Sequence, residues 1–308
     1  MIIDAHAHLF ESLDVYQRSW LDGLKEGMRQ KMSPKGYEEW LASLDGRVET
    51  LIKDMDEAKI DKSVALPSGC AIAYAEEPPK ISIWRSTEYV AEAQSRYPDR
   101  IIGFARVDPL RKDSIELLVK AVTEWKLKGV KMVPTIPVTD ETVQPIMHKV
   151  EELGVPLLAH TGVNPIPYIS KNGDPIFLDT LTARFPKMKI IAAHYAKGFE
   201  DLLTAIIAHR GGRIYADLGM WQEECAKSPW QFILKMRSLM DRIPRFVLMA
   251  SDWPFSKVVP MSHKEWFDAI RNLKIPDQVL QLGLGIKDFS QEEKDMILGE
   301  NARSLLGL

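Results

Sequence analysis

Eight short apolar runs, separated by longer amphipathic segments, recur along the 308 residues of the chain. Runs of this length favour β-strands, whereas an intervening segment such as 113–129 spaces its apolar residues as a helix does and ends in glycine. The strand candidates are Met1–His8, Lys62–Leu66, Ile101–Val107, Gly129–Val133, Val155–Thr161, Lys189–His194, Arg213–Asp217 and Arg245–Asp252. Continuous apolar strands that alternate with helices predict a parallel sheet covered by helices.

Eight strand and helix units favour closure of this sheet into a distorted (β/α)8 TIM barrel of the α/β class over an open doubly wound sheet. The open arrangement usually carries a G-x-G-x-x-G loop that binds a dinucleotide phosphate after its first strand. The glycine clusters HRGGR at 209–213 and LGLGI at 282–286 have neither that spacing nor that position. We therefore expect one barrel domain over residues 1–308.

Residues 9–45 form an insertion that separates the first strand from the helix expected to follow it. Connections of this length are uncommon inside a compact domain and usually have a function. In a TIM barrel the insertion would lie at the carboxyl ends of the strands, where active sites are built. Two roles are open for it: a lid over the substrate, and a contact in a homodimer.

Charge and composition narrow the class of partner. The chain has 40 Lys and Arg against 43 Asp and Glu, a formal net charge of −3, and therefore no basic field to attract nucleic acid or an anionic membrane. No apolar run reaches membrane-spanning length, and the N-terminal segment lacks the pattern of a secretory signal. The two cysteines, Cys70 and Cys225, are interpreted as free thiols. We expect a cytoplasmic protein that binds a small molecule, and neither nucleic acid nor a membrane.

Polar residues interrupt the first strand candidate, in the segment MIIDAHAHLF. Asp4, His6 and His8 occupy alternate positions, so in a regular strand they share one face. Buried polar side chains are costly unless they are hydrogen-bonded or bind an ion. The spacing of His6 and His8 lets two imidazoles reach a single cation, which makes this pair a candidate for metal binding.

The fifth, sixth and eighth strand candidates also end in polar residues, namely His160, His194 and Asp252. The carboxyl ends of all barrel strands meet at one mouth. His6, His8, His160 and Asp252 would together offer three neutral nitrogens and one carboxylate, a set that suits Zn²⁺ or another divalent transition metal with a position left for water. Asp252 would accept a proton from that water, and His194 would orient the water or polarise the substrate.

The chain resembles the amidohydrolase-related (amidohydrolase-2) family of the amidohydrolase superfamily, which includes aminocarboxymuconate semialdehyde decarboxylase. The resemblance rests on DAHAH, EYVAEAQSRYPDRIIGFARVDP, LLAHTG, DTLTARFPKMKIIAAH, SDWPF and GENARSLLGL, which span nearly the whole chain. It implies a distorted (β/α)8 barrel, one metal ion held at positions 6, 8, 160 and 252, and acid and base chemistry near positions 194 and 252.

Other polar and aromatic residues near the strand ends have two interpretations each. Lys131 ends the fourth strand, where superfamily members with two metals carry a carboxylated lysine; the alternative is contact with a substrate carboxylate or a neighbouring acid. Asp4 would support a metal ligand through a hydrogen bond or have a structural role deeper in the barrel. Trp221 and Trp253 would line the pocket or pack in the core. Three histidines are left out of the ligand set because helix positions account for them or their role is ambiguous: His148, His209 and His263.

Three functions follow from these residues. The leading expectation is a metal-dependent hydrolase in which metal-activated water attacks a small lactone, ester or amide. The alternative is a non-oxidative decarboxylase (carboxy-lyase) of a small unsaturated or aromatic acid, and the third class is a barrel that binds metal without catalysis. Several aromatic-acid decarboxylases of the family carry Glu where His6 stands, so among decarboxylases the intact H-x-H pair favours the aminocarboxymuconate type.

Overall fold

Eight parallel strands form the centre of the fold and lie side by side in chain order. The structure, a computed structural model, describes residues 1–69, 77–133, 135–164 and 166–308. The strands are β1 (Ile3–Leu9), β2 (Lys62–Pro67), β3 (Ile101–Val107), β4 (Gly129–Met132), β5 (Leu157–Ala159), β6 (Ile190–Ala192), β7 (Ile214–Asp217) and β8 (Val247–Leu248). The predicted (β/α)8 TIM barrel is therefore confirmed, and each strand candidate overlaps a strand.

Helices surround the barrel. Within the described residues they are α1 (Arg18–Gly27), α2 (Pro34–Ser43), α3 (Val48–Ala58), α4 (Ile83–Arg96), α5 (Ser114–Thr123), α6 (Gln144–Leu153), α7 (Ile176–Arg184), α8 (Glu200–His209), α9 (Gln222–Lys227), α10 (Pro229–Arg242), α11 (His263–Arg271), α12 (Asp277–Leu280), α13 (Gln291–Asp295) and α14 (Asn301–Leu306). Local signals in the sequence set several of their starts. Ser262 caps α11 in a capping box with Glu265, and Ser290 caps α13 in the same way with Glu293.

An irregularity in β1 decides which of its side chains face the barrel axis. Ile3 and Ala5 pack in the apolar cluster inside the barrel, whereas Ala7 packs between the barrel and the helices. The pairing with β2 shifts register between Asp4 and Ala7, so one extra residue is accommodated there as in a β-bulge. Asp4 consequently does not share the inward face with His6, contrary to the prediction, because that prediction assumed uniform alternation.

Backbone hydrogen bonds close the barrel between β1 and the segment that begins with β8. The amide of Ala5 donates to the carbonyl of Met249 at 2.8 Å, and the amide of Asp252 donates to the carbonyl of His6 at 2.8 Å. The amide of His8 donates to the carbonyl of Trp253 at 2.6 Å. A π-helical segment, Met296–Glu300, joins α13 to α14 and packs against both β1 and β8. The seam is thus closed by hydrogen bonds and covered by the C-terminal segment.

The insertion at residues 9–45 folds into a short 3-10 turn (Leu13–Val15) followed by α1 and α2. Its apolar side chains form a cluster of their own, which includes Phe10, Trp20 and Tyr37. Lys31, just after α1, donates a hydrogen bond to Glu223 of α9 at 2.9 Å. The insertion is therefore an ordered helical element that contacts the barrel through both apolar and charged residues.

Two further expectations concern the membrane and the cysteines. No helix within the described ranges is both long and apolar enough to cross a membrane. Cys225 is a free thiol, whereas Cys70 lies outside the described residues.

Replacement of Gly299 by Ala should destabilise the fold. A Cβ atom at this position would lie 2.0 Å from the carbonyl oxygen of Met1, a backbone atom that cannot move without displacing the start of β1. Overpacking of this kind costs about 1 to 3 kcal/mol. Denaturant unfolding of Gly299→Ala should show a loss of this size.

The matched control for this substitution is Gly23→Ala. A Cβ atom at Gly23 would lie 3.5 Å from Pro167, an ordinary contact, and alanine favours a helix interior such as that of α1. We expect unchanged or slightly higher stability. Equal losses in the two variants would contradict the role assigned to Gly299 at the seam.

Candidate active site at the barrel mouth

Three potential ligand atoms converge where β1 meets the segment after β8. The Nε2 atoms of His6 and His8 are 3.1 Å apart, and each lies 3.3 Å from Oδ1 of Asp252. Ligand atoms around a tetrahedral metal with bonds of about 2.0 to 2.1 Å lie about 3.3 to 3.4 Å from one another. The separations and the two-nitrogen, one-oxygen donor set therefore fit one divalent cation, as proposed from the sequence.

Asp217, at the end of β7, fixes the proton position on His6. Its Oδ2 atom lies 2.9 Å from Nδ1 of His6, and a carboxylate can only accept, so Nδ1 carries the hydrogen. Nε2 of His6 is then left with a lone pair toward His8 and Asp252. Oδ1 of Asp217 accepts hydrogen bonds from the backbone amides of His194 at 2.9 Å and Gly219 at 3.0 Å. One buried carboxylate thus orients parts of two strand ends.

Electrostatics keep the histidines neutral and Asp252 ionised. Burial lowers the pKa of His6, His8 and His160, and lowers the pKa of His194 to about 4. Burial acts to raise the pKa of Asp252, but the neighbouring His6, His8 and His194 outweigh it and hold that pKa below its ordinary value. Neutral imidazoles and an ionised carboxylate are the forms that bind a metal.

His160 and His194 form a second pair beside the first cluster. Nδ1 of His194 lies 3.2 Å from the carbonyl oxygen of Gly219, and Nε2 of His160 lies 2.5 Å from Oδ1 of Asn164. Both of these nitrogens therefore carry hydrogen, because the oxygens accept. The remaining nitrogens face each other at 3.3 Å with lone pairs only. Such an arrangement calls for a bound proton or cation.

His160 reaches the convergence point of His6, His8 and Asp252 less directly than the sequence suggested. The ring of His194 lies 5.0 Å from that of His6 and 4.7 Å from that of His160, so His194 stands between them. Among the described residues, the groups with ligand atoms all within 4.8 Å are His6, His8 and Asp252, and His6, His194 and Asp217. The structure brings His160 to the same mouth, and its assignment as a ligand stays a prediction.

The backbone at His194 and Asp252 adopts left-handed conformations, each with φ of 59°. A residue other than glycine in such a conformation carries a cost of about 1 to 3 kcal/mol and persists only where its surroundings impose it. The carbonyl of His194 accepts a hydrogen bond from Nε1 of Trp221 at 3.1 Å, and the carbonyl of Asp252 accepts one from the amide of Ser256 at 3.1 Å. The backbone amide of each residue is hydrogen-bonded as well, to Asp217 for His194 and to His6 for Asp252, so both ends of each residue are held.

Lys131 and Asp4 are both buried and both act electrostatically on His6. Lys131 is 1% exposed, and burial lowers its pKa to about 8 against the opposing effects of Asp217 and Asp252. Asp4 accepts hydrogen bonds from the amides of His6 at 3.1 Å and Ser251 at 3.0 Å, and contacts Nε2 of His263 at 3.2 Å. Asp4 therefore holds the backbone next to His6 and Asp252 and does not contact their ligand atoms.

Both candidate pocket tryptophans lie behind the site. Trp221 is 2% exposed and packs against Tyr195 while its Nε1 donates to His194. Nε1 of Trp253 donates to Oδ2 of Asp54 at 2.7 Å, on the helical side of the barrel. Neither is among the described residues that line the cavity at the mouth. Both large rings are buried among other side chains, which is the common use of tryptophan in a protein core.

A cavity of about 230 Å³ opens next to the cluster. Its walls are largely aromatic and apolar, and several come from the insertion and from the segment after β5; they include Tyr16, Trp20, Leu24, Met28, Trp40, Tyr168 and Phe255. Polar residues on its wall include His8, His160, His194 and Asp252, together with Arg106, Lys131 and Lys197. The metal cluster therefore adjoins a space suited to a small, flat molecule with charged groups.

Arg106 is a buried charged residue on this wall that the sequence interpretation missed. It is the penultimate residue of β3, in the run IIGFARV, and is 3% exposed. The signal that singled out His160, His194 and Asp252, a polar residue at the end of an apolar strand, was also present there. Aromatic residues of the insertion had weaker signals, because the sequence alone does not show which side of α1 faces the barrel.

Comparison with known proteins adds to this geometry. Residues 3–308 match the sequence profile of the amidohydrolase family. No curated protein sequence matches the chain. A solved structure of 2,6-dihydroxybenzoate decarboxylase in complex with 2,6-dihydroxybenzoate has 15% identity and a TM-score of 0.68, and the match covers 100% of this chain and 99% of that chain.

Two further solved structures have similar scores. A mutant of 5-carboxyvanillate decarboxylase from Novosphingobium aromaticivorans, with bound manganese and 3-methoxy-4-hydroxy-5-nitrobenzoic acid, has 16% identity and a TM-score of 0.68 over 100% of this chain and 97% of that chain. An uncharacterized TIM-barrel protein from Bordetella bronchiseptica has 19% identity and a TM-score of 0.66 over 99% and 98% of the two chains. At these identities the likeness establishes a shared fold.

Divalent metal should raise the melting temperature of the metal-free protein, because a ligand that binds only the folded state stabilises it by mass action. We expect this rise with Mn²⁺ or Zn²⁺ in the wild type and a much smaller rise in His8→Ala. Thermal unfolding with and without metal measures the effect. His209→Ala, which alters an exposed histidine of α8, is the control and should keep the full rise. An undiminished rise in His8→Ala would exclude that residue from the metal site.

Asp217→Asn should weaken metal binding by about 10- to 100-fold, the usual effect of losing the group that orients a histidine ligand. The side-chain NH₂ of the new asparagine would face either the Nδ1–H of His6 or the backbone N–H groups of His194 and Gly219. In either orientation two hydrogen-bond donors would face each other. The first orientation drives the proton of His6 to Nε2, which then cannot bind metal. Metal titration followed by calorimetry measures the affinity.

The control for Asp217→Asn is Asp54→Asn. Asp54 accepts a hydrogen bond from Trp253, and the amide oxygen of asparagine can do the same. Metal affinity should then stay at the wild-type value. Wild-type affinity in Asp217→Asn as well would contradict the orienting role of Asp217.

Proposed function

The chain belongs to the amidohydrolase family, and we propose that it is a metal-dependent decarboxylase that removes CO₂ from a small aromatic or unsaturated carboxylic acid without redox chemistry. The observation that carries the proposal is the aromatic and apolar cavity directly beside a residue cluster that fits a divalent cation. Two solved structures with this fold, 2,6-dihydroxybenzoate decarboxylase and 5-carboxyvanillate decarboxylase, support the same class of substrate.

The character of the cavity favours decarboxylation over the hydrolysis expected first from the sequence. The departing carboxylate loses its charge as CO₂ forms, so apolar walls around that group disfavour the bound acid more than the CO₂. Aromatic side chains such as Trp20, Tyr168 and Phe255 also provide stacking surfaces for a flat, unsaturated acid. Hydrolysis of an ester or amide needs no such surface, although it would use the same ligands.

The proposed reaction replaces a C–C bond by a C–H bond. The carbon that loses CO₂ keeps the electron pair of the broken bond and must gain a proton. A divalent cation held by His6, His8 and Asp252, with His160 as a further expected ligand, would supply a Lewis acid that orients the substrate oxygens. Water would supply that proton. His194, whose only hydrogen is on Nδ1 so that Nε2 has a lone pair, and the ionised carboxylate of Asp252 are the proposed carriers, which would accept the proton from water and pass it to the carbon.

For the insertion at 9–45 we propose the role of a lid over the substrate. Residues of the insertion form one wall of the cavity, among them Tyr16, Trp20 and Trp40. Within the described part of the chain, Nε1 of Trp20 and Nε1 of Trp40 are buried without a hydrogen-bond partner. Buried donors of this kind are usually satisfied, so a bound substrate is a natural acceptor for them.

Metal-loaded protein should release CO₂ from members of a panel of hydroxylated benzoates and small unsaturated acids. CO₂ detection together with loss of the acid measures turnover. Asp252→Asn should lower kcat by about 10²- to 10⁴-fold, the usual contribution of a positioned proton carrier. Asp295→Asn, which alters the exposed end of α13, should be unaffected. Metal content is measured in parallel, so that loss of metal is separated from loss of proton transfer.

The outcomes of this panel separate the three functional classes. Release of acid from lactones, esters or amides, without CO₂, would reject the decarboxylase function and support the hydrolase function. Absence of turnover in both panels, with metal fully bound, would support the third class, a barrel that binds metal without catalysis.

A further inference from the structure

Two buried cations lie side by side on the wall of the cavity. Arg106 of β3 is 3% exposed, Lys131 of β4 is 1% exposed, and both line the cavity. The two residues are paired in register across the strands. Phe104, two positions before Arg106, packs inside the barrel, whereas Val130 and Met132, which flank Lys131, pack outside it. Alternation along each strand therefore directs both cations to the barrel axis.

Neither cation forms a salt bridge with any residue in the part of the protein that the structure describes. Nζ of Lys131 and Nη2 of Arg106 are buried there without a hydrogen-bond partner. Nη1 of Arg106 donates to the backbone carbonyl of Gly69, which is a neutral acceptor. Adjacent like charges repel, and a buried charged donor without an acceptor carries a high cost. An arrangement of this kind is stabilised by an anion that accepts hydrogen bonds from both side chains.

We infer that Arg106 and Lys131 bind a carboxylate of the substrate that is retained in the product, so that the substrate is a small dicarboxylic acid. The inference rests on the proposed decarboxylase function. One acid group would lie at His6, His8 and Asp252, and the other at the Arg106 and Lys131 pair. A carboxylate has two oxygens and can accept from the two free donors at once.

The retained group, and not the departing one, is the better match for this pair. Two cations on the departing carboxylate would stabilise it in the reactant and lose that interaction as CO₂ forms, which raises the barrier. A group that keeps its charge throughout is bound equally well in the reactant and in the transition state. The pair then contributes to substrate affinity and selectivity, with little effect on kcat.

The test compares isophthalate, a dicarboxylate, with benzoate, the matching monocarboxylate, by calorimetric titration of the metal-loaded and metal-free protein. We expect wild-type protein to bind isophthalate at least about tenfold more tightly than benzoate, the effect of one buried charged hydrogen bond. Arg106→Gln and Lys131→Met should abolish this preference while leaving benzoate affinity similar. On a dicarboxylate substrate, both variants should raise KM and leave kcat within about threefold.

Lys197→Met is the matched control. Lys197 lines the same cavity but is paired with Glu223 at 3.1 Å, so its loss should preserve the preference for the dicarboxylate. Melting temperatures of all variants show whether each is folded; removal of an unpaired buried charge is not expected to lower them. A wild type without preference, or a preference retained in both Arg106→Gln and Lys131→Met, overturns the inference.

Failure of the inference is distinguishable from failure of the proposed function. Dicarboxylate binding that depends on the pair, without CO₂ release from any acid, upholds the pair as an anion site and rejects decarboxylation. CO₂ release from monocarboxylates with equal efficiency in wild type, Arg106→Gln and Lys131→Met upholds decarboxylation and rejects the pair. Loss of one of two bound metals in Lys131→Met would make the lysine a metal bridge and overturn its role here.

Discussion

The hydrogen bonds that close the barrel are also the ones that determine the spacing of the candidate metal ligands. The amide of Asp252 donates to the carbonyl of His6, and the amide of His8 donates to the carbonyl of Trp253. β8 has only two residues, so closure depends on the segment around Asp252 more than on a long ladder. A change that opens the seam would separate the three ligand atoms, which makes the stability of the closure and the geometry of the site inseparable.

Charge balance connects this cluster with the opposite wall of the cavity. Burial keeps the histidines neutral, so the charges next to the cluster come from Asp217 and Asp252 on one side and Arg106 and Lys131 on the other. Burial raises the pKa of Asp217, and hydrogen bonds from the amides of His194 and Gly219 favour its ionised form. These four groups offset one another, and a divalent cation would leave two positive charges in excess. A substrate with two carboxylates would restore neutrality in a setting where unbalanced charge is costly.

The sequence predicted the barrel and the identity of several polar residues at its mouth because both depend on short-range patterns. Apolar runs identify strands, and polar residues at their ends stand out against them. Features that depend on the third dimension were missed or misplaced. The shift in β1 moves Asp4 off the inward face, and the partnership of Arg106 with Lys131 needs the register between β3 and β4.

The predicted strands that overshoot show how such a site is built. The candidate at 189–194 contains β6, which ends at Ala192, and the candidate at 245–252 contains β8, which ends at Leu248. The residues counted as further strand include His194 and Asp252, whose backbones are left-handed. An extended strand would place alternate side chains on opposite faces, whereas a sharp turn directs each of them into the mouth. The hydrogen bonds from Trp221 and Ser256 offset the cost of these turns, so side chains with no contact to a ligand are as necessary to the site as the ligands themselves.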